Sequence, residues 1–222
     1  MTCRPAEPSG SLAEGGGAFL LVTGAAWGAR RALYPGAEVL FLLALILPLL
    51  RHRDALRRSR AFSWRCLGEA GVWGALLVVL PSLAVALAVT WEHRMLLMPP
   101  LGEGGLFLLT AVAVHLPGAL GEELFFRGYL QEEIFARCGG AQGFAFGFSR
   151  KNVAASLLFA LGHLLSRGSW VLVGLILPSL LLGRLVERHR GSVVAAALLH
   201  ALGNAVLAWG KILVRSNFPP FF

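Results

Sequence analysis

The chain reads as an all-α, polytopic membrane protein, a bundle of about six to eight helices, and two observations lead there. Of its 222 residues 56% are hydrophobic and only 14% are charged, with a mean hydropathy of +0.69. Soluble domains carry about a quarter charged residues. In addition, apolar runs recur from residue 19 to residue 214, parted by short basic loops. Lipid-facing backbone must satisfy its own hydrogen bonds, which selects helices for such runs.

The net charge of +8 and pI of 10.7 come almost wholly from arginine bunched between these runs. That pattern is a topology signal rather than a nucleic-acid surface, so no nucleic-acid partner is expected. Cys3, Cys66 and Cys138 form no CxxC pair, and their odd number argues against a disulfide framework.

In chain order, residues 1–17 are Pro, Gly and Ser with little to bury and are expected to be a disordered leader. They lack the basic start and cleavage site of a signal peptide. Residues 18–104 hold the N-terminal membrane helices. Phe19 to Gly28 is apolar but short, and fits either a thin first span or an interfacial helix. Gly36–Leu50 is a firmer span, followed by RHRDALRRSRAFSWR (51–65) with six arginines. Glu69–Trp91 is a full-length span that Pro81 should kink, and Pro99-Pro100 mark a turn.

Residues 105–214 form the next unit. Leu106–Arg137 is a long central segment interrupted at Pro117-Gly118, and 138–151 is a Gly- and Phe-rich connector. Spans follow at Asn152–Leu165, Trp170–Val186 and Val193–Val214, and 215–222 is a tail. If 51–65 is cytoplasmic, so are 137–151 and 184–190. These loops hold twelve Lys or Arg against six opposite. The positive-inside rule favours that orientation, in what we expect to be a bacterial inner membrane.

Three polar groups interrupt the apolar runs. Ionised side chains at bilayer depth cost several kcal/mol each and default to function. In Gly121-Glu122-Glu123-Leu124-Phe125-Phe126-Arg127-Gly128, Glu123 and Arg127 stand four apart, where carboxylate and guanidinium meet on one helix face. Structural glue is the plain reading of that pair. Glu122 points about 100° away and has no partner at helical spacing. A leftover carboxylate there calls for a wet cavity, where it can act as a general base.

The second group is Phe159-Ala160-Leu161-Gly162-His163, whose Phe159 and His163 share a face beside small residues. The third is His200-Ala201-Leu202-Gly203-Asn204, whose histidine and asparagine could donate two hydrogen bonds to a developing oxyanion. Either set has a bland alternative as polar helix packing. By contrast, His115 reads as packing, His52, His93 and His189 as solvent-titrating loop residues, and Glu132-Glu133 as headgroup-level charges.

Assembled, these residues make a hydrolase without a covalent intermediate. Glu122 takes a proton from a water that His163 holds, and His200 with Asn204 steadies the oxyanion. The ordered set EELFFRG, FALGH and HALGN resembles the EExxxR, FxxxH and HxxxN motifs of the CPBP family, the CAAX-protease and bacteriocin-processing (Abi-like) intramembrane proteins. The resemblance covers residues 117–208. It implies an intramembrane glutamic endopeptidase with Glu122, His163, His200 and Asn204 catalytic, and with Glu123, Arg127 and Phe159 supporting. It implies neither metal nor other cofactor, and a membrane-anchored protein or hydrophobic peptide as substrate.

Two alternatives stand beside it. A zinc protease would use Glu122, His163 and His200 as ligands, although no HExxH is present and Arg127 would oppose a cation. A non-catalytic immunity or scaffold protein of the same family would need none of the catalytic residues. A proton-coupled transporter fits less well, since the chain shows neither repeats nor paired broken helices.

Overall fold

The computed structural model describes residues 8–31, 37–52, 57–58, 64–74, 76, 101–139, 143–144, 147–168 and 174–217. Among them are seven helices and no strand beyond an isolated bridge between Gly143 and Ser149. We label them α1 (Pro8–Arg31), α2 (Ala37–Arg51), α3 (Trp64–Gly74), α4 (Leu101–Glu123, running on as wide π-helical turns through Leu124–Phe135), α5 (Arg150–Arg167), α6 (Ile176–Arg188) and α7 (Val194–Asn217). The all-α expectation holds. The kink at Pro81, the Pro99-Pro100 turn, His93 and residues 218–222 lie outside the described residues.

Only Leu106–Phe135, at 30 residues, is long and apolar enough to cross a membrane among the described residues. Fifteen-residue α2 is strongly apolar, but at 1.5 Å per residue it reaches about 22 Å, short of an about 30 Å hydrocarbon core. The described helices therefore do not by themselves make six to eight spans.

The chain divides into two compact units, Met1–Phe62 with Gly121–Ala196, and Ser63–Leu120 with Ala197–Phe222. In the first, α1 packs against α2, α5 and the π-helical segment, and α5 packs against α6 and the π-helical segment. Its core is Phe125, Tyr129, Leu130 and Ile134 with Leu45, Phe159, Leu185 and Val186. In the second unit Gly74 of α3 lies so near α7 that a β-carbon there would sit 3.1 Å from Leu199.

Two expectations fail in instructive ways. Residues 8–17, read as part of a disordered leader, are helical and docked. Ser11, Gly15, Phe19 and Val22 form a buried stripe, and a β-carbon on Gly15 would stand 2.8 Å from Ile134 Cγ2. Small residues at helical spacing let two backbones close together, so a composition that resembles a linker serves as a contact face. Likewise Pro117 lies inside α4 without breaking it. The donor it removes is a loss that helices of this kind absorb through local adjustments and neighbours.

Local chemistry sets the ends of α5. Ser149 caps its start, accepting a bond from the Asn152 amide at 3.2 Å. Gly168 ends it in the left-handed region at φ 69°, where its N–H reaches Leu164 O at 2.7 Å.

Candidate active site

The twin acids part ways as their spacing predicts. Glu123 is fully buried and its Oε2 lies 3.3 Å from Arg127 Nε, the guanidinium being fully buried too. Arg127 Nη2 also donates to the Ser179 carbonyl at 3.1 Å and to Ser179 Oγ at 2.7 Å. One turn on, Gln131 donates to the Gly183 carbonyl at 3.0 Å, and Asn152 of α5 donates to the Leu180 carbonyl at 2.9 Å. Ser156 Oγ in turn donates to Asn152 Oδ1 at 3.2 Å. A buried polar ladder thus ties α4 and α5 to the backbone of α6. Gly183 makes room for it: a β-carbon there would collide with Asn152 Oδ1 and lie 2.7 Å from Gln131 Oε1.

Glu122 meets His163 instead. Its Oε2 lies 3.8 Å from His163 Nε2, with the side chains 15% and 13% exposed. Both line a cavity of about 80 Å³ bordered also by Val22, Thr23, Ala26, Phe126, Gly162, Ser166 and Arg167. That volume has room for water. On its far side the imidazole is anchored, with Nδ1 3.0 Å from the Phe159 carbonyl. A carbonyl can only accept, so Nδ1 carries a proton, and in the neutral form of the ring Nε2 is the acceptor that faces the cavity.

Phe159 holds this arrangement from below. Its ring stacks on His163 with centroids 4.4 Å apart, meets Phe126 edge-on at 5.1 Å, and carries the Arg127 guanidinium 5.5 Å from its centroid. The aromatic ring stands between the structural cation and the imidazole, giving each an apolar or π contact in place of water. His200 and Asn204 lie four residues apart on α7, half-buried, in the second unit. Among the described residues no group of three His, Cys, Asp or Glu side chains is spaced to hold a metal ion.

Sequence reasoning passed over the contribution of α1. Thr23, Val22 and Ala26 wall the cavity, and Ser166 with Arg167 add polar groups. The available signal was the Ser11–Gly15–Phe19 stripe, which orients α1, with Thr23 one turn beyond Phe19 in an apolar run. His52, expected as a solvent-exposed loop residue, is instead tied to two acids. His52 reaches Glu14 at 2.8 Å and Glu133 at 3.4 Å, and Glu133 pairs with Arg58 at 2.8 Å and with Arg137. Glu132 pairs with Lys151 at 2.8 Å. Arg58, Arg137 and Lys151 thus hold these two acids, because a carboxylate shielded from water is stable only when matched.

Fold and site together define a helical protein in which a carboxylate and an imidazole from separate helices face one small cavity. Residues 103–206 match the family described as type II CAAX prenyl endopeptidase Rce1-like. That match bears out the CPBP resemblance of the three motifs, all of which it contains. Members of this family are membrane-integral and generally proteases. No curated protein and no solved structure matches the chain.

Proposed function

We infer that the chain is an intramembrane endopeptidase that hydrolyses a peptide bond in a membrane-embedded or membrane-tethered protein or peptide. The observation that carries the reading is the 3.8 Å approach of Glu122 Oε2 to His163 Nε2 in a cavity with room for water. Two such acceptors are bridged by one water that donates a hydrogen to each. With both hydrogens directed at the protein, the water's lone pairs point at an incoming carbonyl carbon. Glu122 takes the proton as the new C–O bond forms, and returns it to the amine nitrogen as the C–N bond breaks. To His200 and Asn204 we assign the developing oxyanion, on the strength of the HALGN motif.

The test is capture of an uncut substrate. Glu122→Gln keeps the side chain's shape and removes the base, so affinity purification from membranes should enrich an intact membrane protein that the wild type releases cleaved. Identical co-purifying proteins with identical termini in both samples would defeat the reading. Cleavage that survives exhaustive chelation separates it from a zinc-dependent reaction through Glu122, His163 and His200.

A further inference from the structure

A second cavity of about 330 Å³ opens among α1, α2 and the π-helical segment, and the proposed chemistry makes no use of it. Its walls are mainly apolar, with Ala13, Gly17, Ala18 and Leu21 from α1 facing Leu47 and Pro48 from α2. Its polar groups are few and of both signs: Glu14, Arg51 and the Tyr129 hydroxyl. This size lies at the small end of the about 300–1,000 Å³ typical of ligand sites, and an apolar wall with a few convergent polar groups is their usual make-up.

The charges narrow the ligand. Among the described residues no carboxylate pairs with Arg51, whose side chain stands exposed at the C-terminal end of α2. Glu14 is met at Oε1 by His52, and the Tyr129 hydroxyl lies beside it. These contacts hold its carboxyl below the usual range, mainly through the His52 hydrogen bond, so Glu14 is an anion at neutral pH. Among the described residues, Arg58 and Arg137 are engaged by Glu133. One guanidinium that no described carboxylate matches and one carboxylate with oxygen lone pairs to spare therefore border the same apolar cavity.

A purely anionic ligand would meet Glu14, and a purely cationic one would meet Arg51. A zwitterion with an apolar continuation satisfies both. We propose that this cavity binds the headgroup of a zwitterionic aminophospholipid, with phosphate on Arg51, primary ammonium on Glu14, and the start of an acyl chain along Leu21, Leu47 and Pro48. The assignment rests on the membrane setting of the Rce1-like family, but not on the hydrolytic role of Glu122.

The experiment uses the full-length protein purified in mild detergent, incubated with equal amounts of phosphatidylethanolamine, phosphatidylcholine and phosphatidylglycerol of matched chain length. Native mass spectrometry reads the retained lipid. Phosphatidylethanolamine should be enriched about fivefold over phosphatidylglycerol, the ratio expected for one partly exposed charge contact. Phosphatidylcholine should fall between, because its methylated nitrogen keeps the charge but cannot donate to Glu14. Arg51→Gln should lower retention of every phospholipid, and Glu14→Gln should erase the headgroup preference while leaving a phosphate contact. Leu47→Trp fills the cavity without touching a charge and should expel the lipid, a control in case Glu14→Gln disturbs the docking of α1. Glu122→Gln should leave retention unchanged, so peptidase failure and lipid failure are read separately. Equal retention of the three lipids by the wild type, undiminished retention by Arg51→Gln, or a preference that survives both Glu14→Gln and Leu47→Trp, would overturn the proposal.

Discussion

Glu123→Ala should cost this protein far more stability than its place beside a proposed catalytic residue suggests. Glu123 and Arg127 are both wholly shielded from solvent, with Oε2 and Nε 3.3 Å apart. Removing the acid leaves the guanidinium with the neutral acceptors of Ser179, the Phe159 ring and the weaker field of Glu122. Breaking a buried pair from one side costs about 3–5 kcal/mol, because the other charge is left behind. For a chain of this size that is a fall of roughly 6–20 °C in melting midpoint. An exposed pair would lose at most about 1 kcal/mol. The assay is loss of the monodisperse peak in fluorescence-detected gel filtration after heating the detergent-solubilised protein. A companion variant, Glu123→Gln with Arg127→Met, removes both charges and should regain most of the loss, since a neutral replacement of a buried pair is close to energetically even. A Glu123→Ala midpoint within about 2 °C of wild type, or a double variant no better than the single one, would refute the reasoning.

Other outcomes follow from the same geometry. His163→Ala should abolish cleavage while leaving the melting midpoint within about 3 °C of wild type, since the ring borders a cavity rather than filling the core; cleavage by that variant at wild-type rate would remove His163 from the mechanism. Asn204→Ala should slow turnover about 10²–10³-fold, as for loss of one oxyanion donor, in an assay that separates kcat from KM. Gly183→Ala should destabilise by about 1–3 kcal/mol through collision with Asn152 and Gln131, read by the same gel-filtration melt. Burial is the main cause that holds the Glu187 carboxyl above its usual 4.5. Its contribution to stability is therefore full below pH 4.5 and lost as pH rises through the elevated folded value. Glu187→Gln should flatten that part of the melting profile, and an unchanged slope would count against it.

The meeting of Glu122 with His163 was legible in the sequence because polar residues are costly in apolar surroundings. EELFFRG and FALGH stood out for that reason, and the structure brings Glu122 and His163 together across separate helices. The span expected at Asn152–Leu165 is a helix two residues longer at each end, Arg150–Arg167, closed by caps at Ser149 and Gly168 that the apolar pattern alone does not mark. Less visible was the role of α1, since a face made of Ser11 and Gly15 has no hydrophobic signature. It becomes apparent only when Ile134 is found lying in the gap. The polar ladder escaped notice too. Gln131, Asn152 and Ser179 are individually ordinary, and their meaning lies in a shared partner, the α6 backbone, that single-chain spacing does not reveal.

That ladder explains why the two acids do different work. Arg127 reaches Ser179 and Gln131 reaches Gly183, an equal offset of 52 residues, so α6 and the π-helical segment run in the same direction in register. Side chains four apart on one helix meet carbonyls four apart on the other, which fixes the rotation of the segment about its axis. Once Arg127 is turned toward α6, Glu123 must turn with it. Glu122, one residue earlier and about 100° around, is carried to the side that α1 and α5 wall with Thr23 and His163. The position of the proposed base is therefore set by residues that never touch the cavity. Gln131→Leu should accordingly weaken cleavage even where the protein still folds, by loosening that rotation. Full activity in a Gln131→Leu protein of normal melting midpoint would show that Arg127 alone sets the angle.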